Sequence, residues 1–300
     1  MDAVLTEGLS KHYGAVQALR GVNLRVPTGS LFGFLGPNGA GKTTAIRILL
    51  GLIRASSGAA RVLDRDVWRE GAALRADLGY LPGDVRLYDH LSGRSTLDFF
   101  DSARGRKSAA EFARLAERFD LDLDKRVRNY SRGMKQKLGL IQALMHKPRL
   151  LILDEPTIAL DPLIRQVLFE ELQQAAADGR TVLFSSHTLS EVEELCDRVA
   201  IVRAGRLIEQ DTIDALRRRA LRRVELHWEG EAPAEPGSAG GSLPNGLRVL
   251  QRSTSCMIGT WVGPVAPLLD WLHGQPVRDL IISPPDLEDL FMTYYVEDAA

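Results

Sequence analysis

The chain has 300 residues, room for about two domains at roughly 150 residues each and for a substantial buried core. Hydrophobic residues at 45%, charged residues at 26% and a mean hydropathy of -0.10 exclude collagen-like, coiled-coil and wholly disordered chains. Lys plus Arg (38) nearly cancels Asp plus Glu (39), so the global basic excess of a protein that holds nucleic acid mainly by charge is missing.

The N-terminus has no apolar stretch flanked by basic residues, and no run approaches the roughly 18 apolar residues that span a bilayer. The expectation is a chain kept inside the cell; if it works at a membrane, another chain supplies the spans. Cys196 and Cys256 form no CxxC pair and have no His at ligand spacing, which argues for a reducing compartment and against a zinc site.

From residue 1 to about 220, short apolar runs alternate with helical patterns, as in an α/β sheet. Buried strands are predicted at 31–35, 78–81, 150–153, 182–185 and 199–202. Between Thr96 and His146 the strand signal disappears, and helices are predicted at 97–104, 109–119 and 133–146. This reads as a helical subdomain, about 88–147, inserted in an α/β domain of 1–220.

Residues 229–246 are rich in Gly and Pro, with Leu243 the one bulky apolar side chain, and read as a flexible linker. Strand patterns flank it at 224–228, 247–251 and 257–262. A helix at 266–273, a strand at 277–282 and an amphipathic helix at 286–295 complete a small α+β domain of 221–300, with Trp261 and Trp271 as its core. The run Arg217, Arg218, Arg219, Arg222 and Arg223 reads first as a solvated helix face; anionic lipid headgroups or nucleic acid are its other uses. Cys196 reads as a small buried residue.

Chemistry concentrates after the first predicted buried strand. Gly36, Pro37, Asn38, Gly39, Ala40, Gly41, Lys42 and Thr43 follow G-x-x-x-x-G-K-[ST], and the helical pattern 44–52 begins with Thr44. Glycines let successive N–H groups turn toward phosphate oxygens, and a helix N-terminus adds partial positive charge. Lys42 should reach the outer phosphates and Thr43 should ligand Mg2+. The apolar run 150–153 ends in Asp154 and Glu155: Asp154 to hold Mg2+ through water, and Glu155 to orient and deprotonate the attacking water.

With these residues the sequence resembles the ATPase subunit of ATP-binding cassette (ABC) transporters from about Val4 to Ile213. The distinguishing piece is Tyr130-Ser131-Arg132-Gly133-Met134-Lys135-Gln136, at the place of the family's signature motif. Physically it is a helix start, with Ser131 as N-cap and Gly133 leaving its N–H open to an anionic oxygen. The resemblance implies that Ser131 and Gly133 face ATP bound by a second copy, so that two copies close head to tail around two ATP molecules. It further implies that Tyr13 stacks on adenine, His187 contacts the γ-phosphate and Asp161 belongs to a loop communicating between subunits.

Two positions depart from the family pattern. The loop after 78–81 usually carries a Gln that meets Mg2+ and the membrane subunit; here Gly83 stands there, followed by Asp84, and neither is given a metal role. Arg132 and Met134 replace the commonest signature residues, and that variant, with the ending Ser283 to Phe291, resembles bacterial exporters whose permease is a separate chain. The expected protein is thus a P-loop ATPase cassette using ATP and Mg2+. It would power a separate integral permease from the inner face of the membrane, without binding nucleic acid. A soluble cassette ATPase acting on nucleic acid or ribosomes, and a nucleotide-binding regulator without turnover, are the competing classes.

Overall fold

The computed structural model describes residues 1–105, 108–219, 222–230 and 243–285. Contacts divide the chain into two compact units, the first ending at Ile213 and the second starting at Asp214. The first opens with β1 (Asp2–Tyr13), β2 (Val16–Val22) and β3 (Arg25–Pro27), then β4 (Leu31–Leu35), α1 (Lys42–Leu49), β5 (Ser57–Val62), β6 (Arg65–Asp66), α2 (Gly71–Ala76) and β7 (Leu78–Leu81). Three helices follow: α3 (Gly93–Ala103), α4 (Ala109–Arg118) and α5 (Arg132–Leu144). The unit then returns through β8 (Leu150–Asp154), α6 (Pro162–Ala177), β9 (Thr181–Ser186), α7 (Leu189–Leu195), β10 (Arg198–Arg203) and β11 (Arg206–Thr212).

Two sheets result. One has the order β11-β10-β4-β9-β8-β7, parallel except for β11, which runs antiparallel to β10. Its inner strands are apolar on both faces, Leu150 to Leu153 and Val182 to Phe184 being fully buried, because a parallel sheet is covered on both sides. The register sets Leu35 beside Ser186 and Asp154 beside Ser185, so the C-terminal ends of β4, β8 and β9 meet along one edge. That edge is where a parallel sheet holds its ligands.

The other sheet, β2-β1-β5-β6 with β3 against β1, is antiparallel, and sequence patterning did not single it out. Register shifts at Leu9/Lys11 and Lys11/His12 break the two-residue alternation of β1, so no clean strand pattern survives in its sequence. Val4, Leu9, Leu19 and Val62 from this sheet share one core with Phe32, Phe34 and Ile152 of the parallel one and with Ile46 of α1.

Helix starts follow local chemistry. Ser92 accepts the Ser95 N–H and begins α3 at Gly93, four positions earlier than periodicity alone indicated. Ser131 accepts the Met134 N–H at the start of α5, and Asp161 accepts the Ile164 N–H ahead of Pro162 in α6. On α4, Phe112, Leu115 and Ala116 turn inward, each large apolar side chain contributing about 1.5–3 kcal/mol. On the other side, Arg114 reaches Glu171 of α6 at 2.7 and 2.8 Å and Arg118 reaches Glu170 at 2.8 Å, tying the helical insertion to the sheet-bearing part.

After α8 (Ile213–Arg219), whose first residue is the boundary, the second unit comprises β12 (Arg222–Trp228), β13 (Leu247–Arg252), β14 (Cys256–Trp261), α9 (Ala266–Leu272) and β15 (Val277–Pro285), its sheet ordered β13-β14-β12-β15 and antiparallel. Val224, Leu226, Trp228, Met257, Trp261 and Leu268 are its buried core, with Trp271 packed against them. The arginine run does not form one helix face: Arg217 lies in α8, Arg222 and Arg223 in β12, and Arg223 pairs with Glu225 at 3.1 Å. The predicted helix 286–295 and most of the linker 229–246 lie outside the described residues. Among the described residues no helix is long and apolar enough to cross a membrane.

Candidate nucleotide site

The loop after β4 is held at both ends. Gly36 donates its N–H to Ser186 O at 3.2 Å, and Ala40, packed into the core at 2% exposure, donates to Pro37 O at 3.2 Å. Gly41 precedes α1 with φ 104, a conformation open to glycine, and a Cβ there would lie 2.6 Å from Ala18 O. The loop lines an open pocket of about 200 Å3 formed by Ala18, residues 37–44 and Glu155, which brings together Pro37, Asn38, Gly39, Ala40, Gly41, Lys42, Thr43 and Thr44. At its floor the first turn of α1 presents N–H groups without intrahelical partners, a natural seat for phosphate.

Lys42 is 5% exposed and curls back into this loop, its Nζ donating to Gly36 O at 2.5 Å and Pro37 O at 3.2 Å. Its third neighbour is Glu155 Oε1 at 3.1 Å, an ion pair without the alignment of a hydrogen bond. The other carboxylate oxygen of Glu155 lies 2.7 Å from His187 Nδ1. Glu155 thus bridges Lys42 and a half-exposed His187, from a left-handed backbone with φ 51. Phosphate oxygens entering the loop can replace the two carbonyls at Lys42.

Asp154, 1% exposed, takes a hydrogen bond on each oxygen: Oδ2 from Thr43 Oγ1 and Oδ1 from Ser185 Oγ, both at 2.7 Å. A hydroxyl and a carboxylate so placed fit a hard cation such as Mg2+, which takes few protein oxygens and completes its shell with water and phosphate. Among the described residues no group of three or more His, Cys, Asp or Glu forms a self-sufficient metal cage. Burial and the neighbouring Asp154 charge push the Tyr80 hydroxyl up to about 12, so it stays protonated beside the site.

Gly83 lies against Asp154, a Cβ there falling 3.5 Å from its carbonyl and 3.6 Å from Oδ2. Asp84 does not turn to the same place: its exposed carboxylate pairs with Arg86 at 2.9 Å. Tyr13, at the end of β1, is 47% exposed, with the Lys11 ammonium 5.2 Å from its ring centre, and is not part of the pocket lining around residues 37–44.

Ser131 caps α5 as its sequence position indicated. Gly133 has a stronger reason to be glycine than an open N–H: a Cβ there would meet Ala159 O at 2.6 Å. Ala159 itself has φ 63, and Gln136 Nε2 donates to Pro156 O at 3.0 Å. The start of α5 is therefore clamped to the segment that leads from Glu155 to Asp161. Sequence reasoning missed Gln136, Ser185, Ser186 and the cap made by Asp161; the signal available for the two serines was a pair of hydroxyls ending an otherwise apolar strand just before His187. Cys196 is buried, and desolvation pushes its thiol well above the ordinary range, so it is inert packing.

Comparison with known proteins agrees with this geometry. Residues 19–158 match the family model described as ABC transporter. The daunorubicin resistance ATP-binding protein DrrA3 of Streptomyces coeruleorubidus is 40% identical, the alignment covering 97% of this chain and 95% of that protein. The Nod factor export ATP-binding protein I of Cupriavidus pinatubonensis is 33% identical over 94% and 87% of the two chains. A solved ATP-binding subunit of an ABC transporter superposes with a TM-score of 0.67 at 32% identity, covering 72% of this chain and 92% of that one. The chain belongs to the ABC transporter family, as an ATP-binding subunit whose ATP hydrolysis is coupled to transport.

Proposed function

We propose that this chain powers a separate membrane permease in export, with Lys42, Thr43, Asp154, Glu155 and His187 as its hydrolytic centre. The observation that carries the reading is the convergence of one buried lysine, two adjacent carboxylates and one histidine on the phosphate loop. Lys42 exchanges loop carbonyls for phosphate oxygens and stabilises charge developing on the γ-phosphoryl group. Thr43 and Asp154 would hold Mg2+, which would supply neutralisation of phosphate charge. Glu155, released from Lys42, orients the attacking water and takes its proton, while His187 keeps the Glu155 carboxylate directed at that water and reaches the γ-phosphate.

Half of each working site comes from a second copy. Ser131 and the open N–H of Gly133 complete the site across a head-to-tail dimer, and Tyr13 stacks on adenine. A dimeric ATP-binding cassette solved with ADP and Pi shares the fold, with a TM-score of 0.64 at 22% identity over 70% of this chain and 98% of that one.

For the permease, the fitting surface is the apolar groove of about 280 Å3 between β7 and the helical insertion, lined by Pro82, Val85, Leu87 and Phe100 among others. Tyr88 and Phe99 stand half-exposed nearby with ring centres 5.7 Å apart. Docking there would hold the chain on the inner face of the membrane. The relatives that match are named for daunorubicin resistance and Nod factor export, a spread that fits cargo selection by the permease rather than by this chain. Antibiotic-like or other drug-like cargo is the reading carried by the relative that spans almost the whole chain.

The test is phosphate release by purified protein. Glu155→Gln should lower turnover by roughly 10²- to 10⁴-fold while ATP binding survives. Near-normal hydrolysis by that variant removes Glu155 from its role.

A further inference from the structure

Ser185 belongs to none of the motifs that marked the phosphate chemistry, yet it touches both carboxylate residues. It is fully buried in β9, directly opposite Asp154 of β8. Its Oγ donates to Asp154 Oδ1 at 2.7 Å and accepts the Glu155 N–H at 3.1 Å, while its carbonyl accepts the same N–H at 3.2 Å. One residue thus uses a hydroxyl proton, a hydroxyl lone pair and a carbonyl on two consecutive residues of the neighbouring strand.

The consequences differ for the two partners. Asp154 receives Thr43 on one oxygen and Ser185 on the other, which fixes the plane of the carboxylate from opposite sides. Glu155 is turned into the left-handed region, where a residue with a Cβ needs its surroundings to hold it. Ser185 supplies that hold through the two acceptors at the Glu155 N–H. The next residue anchors the strand end: Ser186 O takes the Gly36 N–H, and Ser186 Oγ donates to the buried Glu191 at 2.7 Å and accepts the Thr188 N–H at 2.9 Å. Ser185 is therefore presented from a backbone pinned to the phosphate loop on one side and to α7 on the other.

A buried hydroxyl is unfavourable in an apolar strand unless its hydrogen bonds are made. Here they are made to the two residues placed at the chemistry, and no backbone carbonyl takes the hydroxyl proton. We infer that Ser185 is a positioning residue for hydrolysis, holding the turn that aims Glu155. This inference rests on the assignment of Glu155 as base.

The experiment is a double-mutant cycle on the full chain with Ser185→Ala, Glu155→Gln and the pair, measuring kcat, KM and, by calorimetry, ATP affinity. Ser185→Ala should lower kcat on the order of tenfold to a hundredfold, with KM and affinity moving less than about threefold. Because it acts through Glu155, adding it to Glu155→Gln should lower the residual rate by less than about twofold further. A Ser185→Ala enzyme with wild-type kcat overturns the inference, and so does a full multiplicative loss in the Glu155→Gln background, which marks a general structural effect. Wild-type turnover by Glu155→Gln alone sinks the base assignment and this role together; loss there without loss in Ser185→Ala sinks only the latter. If the alanine variant melts below the assay temperature, Ser185→Cys, of similar volume but a weak donor, is held to the same outcomes.

Discussion

Adding a single methyl group at Gly133 separates a packing role of the signature segment from a role in hydrolysis. The new Cβ would sit 2.6 Å from Ala159 O, well inside ordinary contact, so α5 and the 156–161 segment must part. Neither side yields freely: Gln136 ties α5 to Pro156, Ala159 is already left-handed, and Asp161 is committed to capping α6. Overpacking of this kind costs about 1–3 kcal/mol. Alanine recovers up to about 1 kcal/mol of helix propensity relative to glycine. The net loss of stability is then roughly 0–3 kcal/mol, and each kcal/mol lowers the melting temperature of a domain this size by about 2–4 °C.

Turnover should suffer far more, because a displacement of about 1 Å at a group facing the reacting phosphate can lower the rate about 10²-fold. The assay pairs phosphate release with calorimetric ATP binding and a thermal melt of Gly133→Ala. The expected result is a large fall in turnover, ATP affinity within about threefold because Lys42 is untouched, and a small shift in melting. Wild-type turnover alongside a lowered melting temperature would leave Gly133 as packing alone, with no part in hydrolysis.

Other predictions follow from charge. Lys42→Ala removes the ammonium from the phosphate loop and should weaken ATP binding at least about tenfold, the effect of losing a hydrogen bond to a charged group; unchanged affinity by calorimetry contradicts the assignment. At Glu111, burial acts to raise the carboxyl, but hydrogen bonds from Arg114 and Lys147 outweigh it and hold the group below its ordinary value of 4.5. A carboxyl lowered on folding stabilises the fold above that value and loses the contribution as pH falls through the folded one. Glu111→Gln should therefore destabilise the chain at neutral pH and flatten the acid side of its urea-midpoint profile; a profile parallel to wild type would show that the Glu111 pairs with Arg114 and Lys147 contribute nothing.

The parts of the fold that were legible in the sequence are those in which one requirement acts alone. Strands such as Leu150 to Leu153 are buried on both faces and leave a continuous apolar run, and the loop from Gly36 to Thr43 is constrained residue by residue by phosphate. The antiparallel sheet escaped because bulges in β1 scramble its alternation. Ser185 escaped because a serine at a strand end carries no message until the register puts it opposite Asp154. At Gly133 the sequence suggests only an open N–H, since the close approach of Ala159 O is a tertiary fact. The direction of Asp84 was not legible either, because its neighbour Arg86, two positions along, draws the carboxylate outward.

The permease proposed for this ATPase can be sought directly. The most direct measurement is to tag the chain in its own cell, solubilise membranes in mild detergent, purify the tagged protein and identify its companions by mass spectrometry. The expected companion is a stoichiometric multi-span membrane protein whose presence raises ATP turnover. Recovery solely from the soluble fraction, with nucleic acid or ribosomes attached, would contradict that expectation.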